Sequence, residues 1–267
     1  MSVRNTLRAL PALTRIGFAE AVAYRAEMLI WVLSTTMPLV MLALWTTVAR
    51  EAPVGGFGQA DFVAYFLSNF IVRQLTGSWA AWEMNFEIRN GTLSMRLLRP
   101  IEPVFSYAVE NLTALPMRIV VAVPVAAVML WAVGTSHLPR DPLIWVLIVV
   151  ATFSAWLTTF LLNIAIGCLS FFMESSLKVM EIYFVVFMVF SGYLVPVKLF
   201  PSVLRNVVEV LPFRFQIGFP VELMINAHGR AEALMLLGRQ WLYIGVLAVL
   251  SYVLWRRGLK RFAAYGG

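Results

Sequence analysis

The sequence predicts an all-α integral membrane protein with six transmembrane helices, an N-terminal amphipathic interface helix and short re-entrant helices between spans five and six. Hydrophobic residues make up 61% of the 267 residues and charged residues only 13%, too few to cover one soluble core. The apolar stretches are continuous, which favours spanning helices over barrel strands, because barrel strands alternate. We interpret residues 1–267 as a single transmembrane domain.

Residues 1–26 carry four arginines ahead of the first long apolar stretch. Pro11 suits the first turn of a helix, and apolar side chains downstream of it fall on one face. This pattern predicts a short helix lying on the membrane surface, with an ordinary leader as the alternative. The apolar run that follows is longer than the core of a cleavable signal peptide.

The first four predicted spans are separated by short polar segments. Span one covers 28–48 and carries no charge. Span two covers 61–83 and contains Arg73 near its middle. Span three ends near Val133, and two prolines are expected to kink it. Span four lies within 143–173, a stretch longer than one crossing requires, so tilt or extension beyond the bilayer is expected.

The last two predicted spans enclose an unusual connecting segment. A turn at 174–178 leads into span five, which is expected to end near Val197, and span six covers roughly 234–255. Between them, 198–233 alternates short apolar pieces with three prolines. Irregular backbone at membrane depth needs protein or a wet cavity around it, so this segment predicts short re-entrant or interfacial helices.

The distribution of basic residues predicts the orientation. With the N-terminus inside, the inner segments hold most of the arginines and lysines, whereas the first two outer loops hold only Arg50 and Arg140. The positive-inside rule therefore places both termini in the cytoplasm. Membrane orientation accounts for the net charge of +7 without a nucleic-acid partner.

The residue types in the sequence argue against a disulfide framework, a zinc site or an ATP-binding loop on this chain. The single cysteine, Cys168, and two histidines do not form a disulfide framework or a zinc-binding pattern. The phosphate-loop pattern of ATP-binding chains does not occur, and we expect no cofactor or metal. An intramembrane enzyme acting on lipid headgroups would have Glu209, Glu222 and His228 as its acid–base candidates. A proton-coupled carrier would need a carboxylate relay that the predicted spans do not offer.

The segment 84–103, after span two, is a candidate docking element. Glu83 and Glu87 are one helical turn apart and can extend span two into the cytoplasm. Asn-Gly at 90–91 then breaks the helix, because both residues tolerate left-handed backbone.

A second short helix is predicted at 92–98. It places its leucines on one face and Arg96 and Arg99 outside that face, and Pro100 ends it. A short amphipathic helix of this kind fits a groove on a partner protein.

The stretch G-T-L-S-M-R-L-L-R-P-I-E-P, followed by Glu110 and Asn111, resembles the cytoplasmic loop of ATP-binding-cassette type-2 permeases. The six-span layout resembles that family over essentially the whole chain, as does the S-G-Y-L-V-P-V-K-L-F-P stretch after span five. The chain looks closest to the bacterial branch in which two related permeases pair with a separate ATPase. The resemblance implies an exporter subunit in the bacterial plasma membrane that moves a hydrophobic or amphipathic substrate, such as a drug, lipid or peptide.

The same resemblance implies the partners of this chain. They are two copies of an ATPase subunit, which hold ATP and Mg, and a second permease chain, identical or related. Residues 84–103 become the coupling segment that docks on the ATPase, and the N-terminal helix would brace the same subunit. The residues expected to transmit the motion are Glu87, Arg89, Gly91, Thr92, Leu93, Arg96, Leu97, Leu98, Arg99 and Pro100.

Two groups of residues inside the predicted spans remain open to interpretation. Arg73 should face protein or water, because a charge at mid-bilayer costs ~2.5 kcal/mol or more, and its candidate partners are Glu181 and Glu222. Arg118 could instead pair with Glu181 near the inner face. The aromatic residues of span five indicate either helix packing or an adaptable surface for the substrate. The candidate pathway residues are Arg73, Tyr183, Phe187 and Tyr193.

Overall fold

The computed structural model describes residues 35–262, together with 11–12, 14–16, 18–19 and 23. The few residues described between 11 and 23 are helical. Most of the predicted interface helix, and the first part of predicted span one, lie outside the described residues.

The described part of the chain is helical, with one isolated β-bridge between Val54 and Phe57. Three short 3-10 helices, at Leu169–Phe171, Val197–Leu199 and Pro212–Gln216, connect longer elements. The α-helices with defined bounds are α1 (Met37–Val48), α2 (Gln59–Thr76), α3 (Ala80–Arg89), α4 (Leu93–Leu97), α5 (Pro103–Thr113), α6 (Leu115–Val133), α7 (Pro142–Cys168), α8 (Ser176–Phe190), α9 (Ser202–Val210), α10 (Gly218–Met224) and α11 (Arg230–Leu259).

Three stretches of the described chain are long and apolar enough to cross a membrane: Pro103–Val133, Pro142–Phe171 and Arg230–Leu259. They coincide with predicted spans three, four and six. The first combines α5 and α6, and the second is α7 with the 3-10 turn that follows it. Because α7 packs against α11, α3, α2 and α10, it forms the centre of the helical assembly.

Predicted span two is not one continuous helix. α2 ends at Thr76, and α3 begins only at Ala80, because Gly77 adopts an extended conformation with ψ of 141°. Arg118 of α6, which is fully buried, donates to the carbonyl oxygen of Gly77 at 2.7 Å. It thereby satisfies a carbonyl group that the interrupted helix leaves without an intrahelical partner.

This position of Arg118 corrects the predicted pair between Arg118 and Glu181. The guanidinium carbon of Arg118 also lies 4.8 Å from the centroid of the Trp79 ring, while Glu181 is exposed on α8. A carbonyl oxygen and an aromatic face therefore take the place of the expected carboxylate.

Predicted span five ends earlier than expected. α8 ends at Phe190 and not near Val197, because the chain turns at Gly192 with φ of +86°. Tyr65 and Asn69 of α2 both donate to the carbonyl oxygen of Gly192, at 2.7 and 3.0 Å. The exit of α8 is thus fixed to α2 by side-chain hydrogen bonds.

The segment 198–233 contains the short helices that its prolines predict, in the form of α9, α10 and a 3-10 turn. α10 is buried against α7 and α2. α9 is amphipathic and exposes Val203, Val207 and Val210. The segment thus has one helix inside the assembly and another on its surface.

Candidate coupling site

The predicted break after span two is present and produces a short separate helix. α3 ends at Arg89, and Gly91 has φ of +73°, a backbone conformation that glycine adopts without steric cost. α4 follows as Leu93–Leu97, one residue shorter at each end than predicted. The turn and the helix therefore form where the sequence predicts them.

Arg96 of α4 lies at the centre of a cluster of three carboxylates. Its Nη2 atom is 2.7 Å from both Glu83 Oε1 and Glu87 Oε1, and its Nη1 atom is 2.7 Å from Glu110 Oε1. The guanidinium carbon also lies 4.2 Å from the centroid of the Tyr107 ring. Tyr107 Oη donates to Glu87 Oε2 at 2.5 Å. We call these five side chains the arginine cluster.

The arginine cluster ties three elements together. Glu83 and Glu87 belong to α3, Arg96 to α4, and Tyr107 and Glu110 to α5. Burial alone would lower the pKa of the Arg96 guanidinium, but its hydrogen bonds to Glu87 and the charge of Glu110 outweigh burial and raise it. The charged Arg96 side chain therefore holds α3, α4 and α5 together.

The inward position of Arg96 corrects the prediction that it lies outside the leucine face. Its side chain is only 11% exposed, whereas Arg99 is exposed as predicted. The predicted leucine face is divided as well. Leu93 is fully buried, Leu97 is half-buried, and Leu98 is 81% exposed.

Met95 joins Leu98 on the outer side of α4. It is 66% exposed and lies three residues before Leu98, so both side chains point the same way from the helix. Sequence reasoning missed Met95, although this three-residue spacing was visible. We define Met95, Leu98 and the adjacent Arg99 as the docking face, and Thr92 and Pro100 are exposed beside it.

Two side chains of α3 connect the site to the turn between α7 and α8. Arg89 Nη2 donates to the carbonyl oxygen of Met173 at 2.8 Å. Asn85 Nδ2 donates to Ser170 Oγ at 3.0 Å and to Ser176 Oγ at 2.8 Å. Sequence reasoning named Arg89 but not Asn85. A movement of α3 would therefore be passed to α7 and α8.

The four candidate pathway residues lie together between α2 and the end of α8. The Phe187 ring centroid is 6.1 Å from that of Tyr183 and 5.7 Å from that of Tyr193. The guanidinium carbon of Arg73 lies 5.4 Å from the Phe187 centroid. Gln216, which sequence reasoning missed, is fully buried and accepts a hydrogen bond from Tyr183 Oη at 2.6 Å. We call these five residues the aromatic cluster.

Glu222, one candidate partner of Arg73, has other partners. Its Oε2 atom lies 2.7 Å from Arg214 Nη2 and 2.8 Å from His228 Nε2. His228 Nδ1 lies 3.0 Å from Glu232 Oε1. Glu181, the other candidate, is exposed on α8. We call Arg214, Glu222, His228 and Glu232 the outer cluster, because they lie in the connection between spans five and six, which the predicted orientation places outside.

The acid–base candidates of the enzyme alternative are only partly brought together. Glu222 and His228 are in contact, but Arg214 also binds the same Glu222 oxygen. Glu209 lies on α9, 4.0 Å from Arg205. Within the described residues, no three histidine, cysteine, aspartate or glutamate side chains are arranged to hold a metal ion.

The outer cluster is expected to make stability depend on pH. Burial would lower the pKa of His228, but its contacts with Glu222 and Glu232 raise it above 6.5. Burial would raise the pKa of Glu222, but His228 and Arg214 lower it below 4.5. The contribution of His228 to the free energy of unfolding is therefore lost as pH rises through its folded pKa. The contribution of Glu222 is lost as pH falls through its own folded pKa.

Thermal unfolding of the purified protein should show this dependence. As pH rises from about 6 through the folded pKa of His228, we expect the melting temperature to fall, and His228→Gln should remove most of this slope. The control His137→Gln changes the other histidine, which contacts a partly exposed Asp61, and should keep the slope. An unchanged slope in His228→Gln would contradict the assignment.

Comparison with known proteins gives one family match. Residues 32–266 match the family described as ABC-2 family transporter protein. A search of curated proteins gives no match. The matched range includes the arginine, aromatic and outer clusters.

Proposed function

We propose, on the premise that this chain belongs to the ABC-2 family of transporter proteins, that it is the permease subunit of an ATP-driven exporter. The observation that carries the proposal is the docking face. Met95 of α4 and Leu98, the residue directly after it, are exposed, and ionic contacts of Arg96 hold α4 to two neighbouring helices. No observation on the described residues favours a lipid-modifying enzyme.

In this proposal, α4 is the coupling helix. Its docking face inserts into a groove on a separate ATPase subunit, two copies of which hold ATP and Mg. Arg96 forms ionic contacts with both α3 and α5. A movement of the ATPase subunit against α4 therefore moves α3 and α5 together with it. Asn85 and Arg89 then carry the motion to the turn between α7 and α8.

The aromatic cluster is the proposed pathway wall. Two permease chains, identical or related, would face each other across it. Tyrosine and phenylalanine rings together with one arginine suit a hydrophobic or amphipathic substrate, such as a drug, lipid or peptide. The permease changes between its two states because ATP binding stabilises one of them, without chemistry on this chain.

We propose six spans in the bacterial plasma membrane with both termini in the cytoplasm. The three membrane-length helices supply three spans, and α1, α2 with α3, and α8 supply the others. Trp255 Nε1, near the end of α11, donates to Glu102 Oε1 at 3.1 Å. This contact supports a location of the C-terminal end of α11 on the same side as the coupling segment.

Replacement of Leu98 by aspartate tests the docking face. Leu98 is 81% exposed, so the substitution should leave the fold intact, and a charge at the centre of an apolar contact should weaken ATPase docking. We expect a tenfold or larger loss of transport-linked ATPase activity in proteoliposomes that contain the co-purified complex. The melting temperature should stay unchanged.

Val203→Asp is the matched control, since Val203 is equally exposed on α9 and lies in another segment. It should retain the ATPase activity of the unmodified complex. Normal activity in Leu98→Asp, or an equal loss in both variants, would overturn the proposed role of the docking face.

A further inference from the structure

The C-terminal end of α11 carries basic residues on a tightly held piece of backbone. The Phe171 ring packs against Trp255 and Phe262, with centroid distances of 5.8 and 5.9 Å. Gly258 permits this approach, because a Cβ atom there would lie 2.1 Å from the Phe171 ring. The basic residues fixed in this way are Arg256, Arg257, Lys260 and Arg261.

Two of these cations line an open pocket of about 530 Å³ together with Leu259. Arg256 and Lys260 are four residues apart and therefore project from one side of the helix. Arg256 Nε donates to Tyr252 Oη at 3.1 Å, which orients the guanidinium. The pocket thus presents two exposed positive charges around one apolar side chain.

An exposed apolar stripe leads to this pocket along α11. Leu242, Val249 and Tyr252 precede Arg256 by fourteen, seven and four residues, so they lie on the same side of the helix. Leu242, Val249 and Tyr252 are 67%, 65% and 59% exposed. Since α11 is long and apolar enough to cross a membrane, the stripe would face acyl chains and the pocket would lie at the headgroup level.

We propose that this end of α11 is a binding site for an anionic phospholipid. The lipid phosphate lies between Arg256 and Lys260, and an acyl chain follows the stripe from Tyr252 to Leu242. A soluble anion would use only the pocket, and a neutral lipid would use only the stripe. The combination of both features selects a charged lipid.

Glu102 is the carboxylate whose charge acts on Arg256. It accepts the Trp255 hydrogen bond at the beginning of α5. The lipid would therefore bind next to the coupling segment. This placement rests on the proposed function in one respect, since the proposed orientation puts the lipid in the cytoplasmic leaflet. Lipid binding itself does not depend on ATP or transport.

Native mass spectrometry of the full-length protein in neutral detergent tests the site. We compare phosphatidylglycerol with phosphatidylcholine of identical acyl chains and expect at least tenfold tighter binding of the anionic lipid. Because each basic residue near the surface contributes to anionic-lipid binding, Arg256→Gln/Lys260→Gln should reduce this preference to about twofold or less. The control Lys178→Gln/Arg257→Gln removes the same charge from basic residues outside the pocket and should keep the preference.

Three results would overturn the proposal. They are equal binding of the two lipids by the unmodified protein, an equal loss of preference in both double variants, and displacement of the lipid by millimolar glycerol phosphate. The last result would assign the pocket to a soluble anion. If Arg256→Gln/Lys260→Gln does not fold, Lys260→Gln alone should weaken the preference about threefold, and an unchanged preference would contradict the site. Because no ATPase is measured, failure here leaves the proposed permease function untouched.

Discussion

Arg96→Gln is expected to lower the free energy of unfolding by about 3 kcal/mol and to abolish transport-linked ATPase activity. The substitution removes the cation that Glu83, Glu87 and Glu110 share at 2.7 Å. Removal of one partner from a largely buried ionic contact costs about 3 to 5 kcal/mol, because the carboxylates of Glu87 and Glu110 would then be left without their cation. Thermal or denaturant unfolding of the purified protein measures the loss.

Arg99→Gln is the matched control, because Arg99 lies three residues away but is exposed. It should change stability by less than about 0.5 kcal/mol. Arg96→Gln/Glu87→Gln should recover part of the loss, since one uncompensated negative charge is gone. Equal stability of Arg96→Gln and Arg99→Gln would show that the arginine cluster does not hold the coupling segment.

Gly192→Ala is expected to lower the free energy of unfolding by about 2 to 4 kcal/mol. The φ of +86° at Gly192 is strained for any residue with a Cβ atom, at about 1 to 2 kcal/mol. A Cβ atom there would also lie 2.7 Å from Tyr65 Oη and 3.2 Å from the Gly218 Cα atom. The substitution should therefore break the hydrogen bond that fixes the exit of α8 to α2, and the melting temperature should fall.

Gly245→Ala provides the comparison for this prediction. A Cβ atom at Gly245, inside α11, would meet no atom within 4 Å, and alanine in a helix interior is favoured over glycine by about 0.5 to 1 kcal/mol. This variant should be as stable as the unmodified protein or slightly more so. A similar loss in both variants would show that the backbone of Gly192 has no special role.

The parts of the fold that depend on local sequence were predictable. Continuous apolar runs predicted the three membrane-length helices. The Asn-Gly pair at 90–91 predicted the turn before α4, because both residue types tolerate left-handed backbone, and Gly91 adopts it. The prolines of 198–233 predicted short helices in the same way.

The directions of charged side chains were not predictable, because their partners lie far along the chain. Helical periodicity placed Arg96 outside, since the sequence does not show that Glu110 comes within 2.7 Å of it. Arg118 reaches a carbonyl oxygen 41 residues away, and no pattern in the residue types marks a backbone acceptor. The four candidate pathway residues lie together, but Gln216, which accepts a hydrogen bond from Tyr183, comes from a different segment.

The interruption at Gly77–Trp79 has a mechanical consequence. α2 and α3 are separate helices on either side of this break. Arg118 of the neighbouring α6 holds the break in place through its hydrogen bond to Gly77. α3 carries part of the arginine cluster, whereas α2 holds the exit of α8. A tilt of α3 therefore need not rotate α2. If the proposed coupling holds, displacement of the Arg118 contact with Gly77 is the step that would let a movement of α3 reach α2.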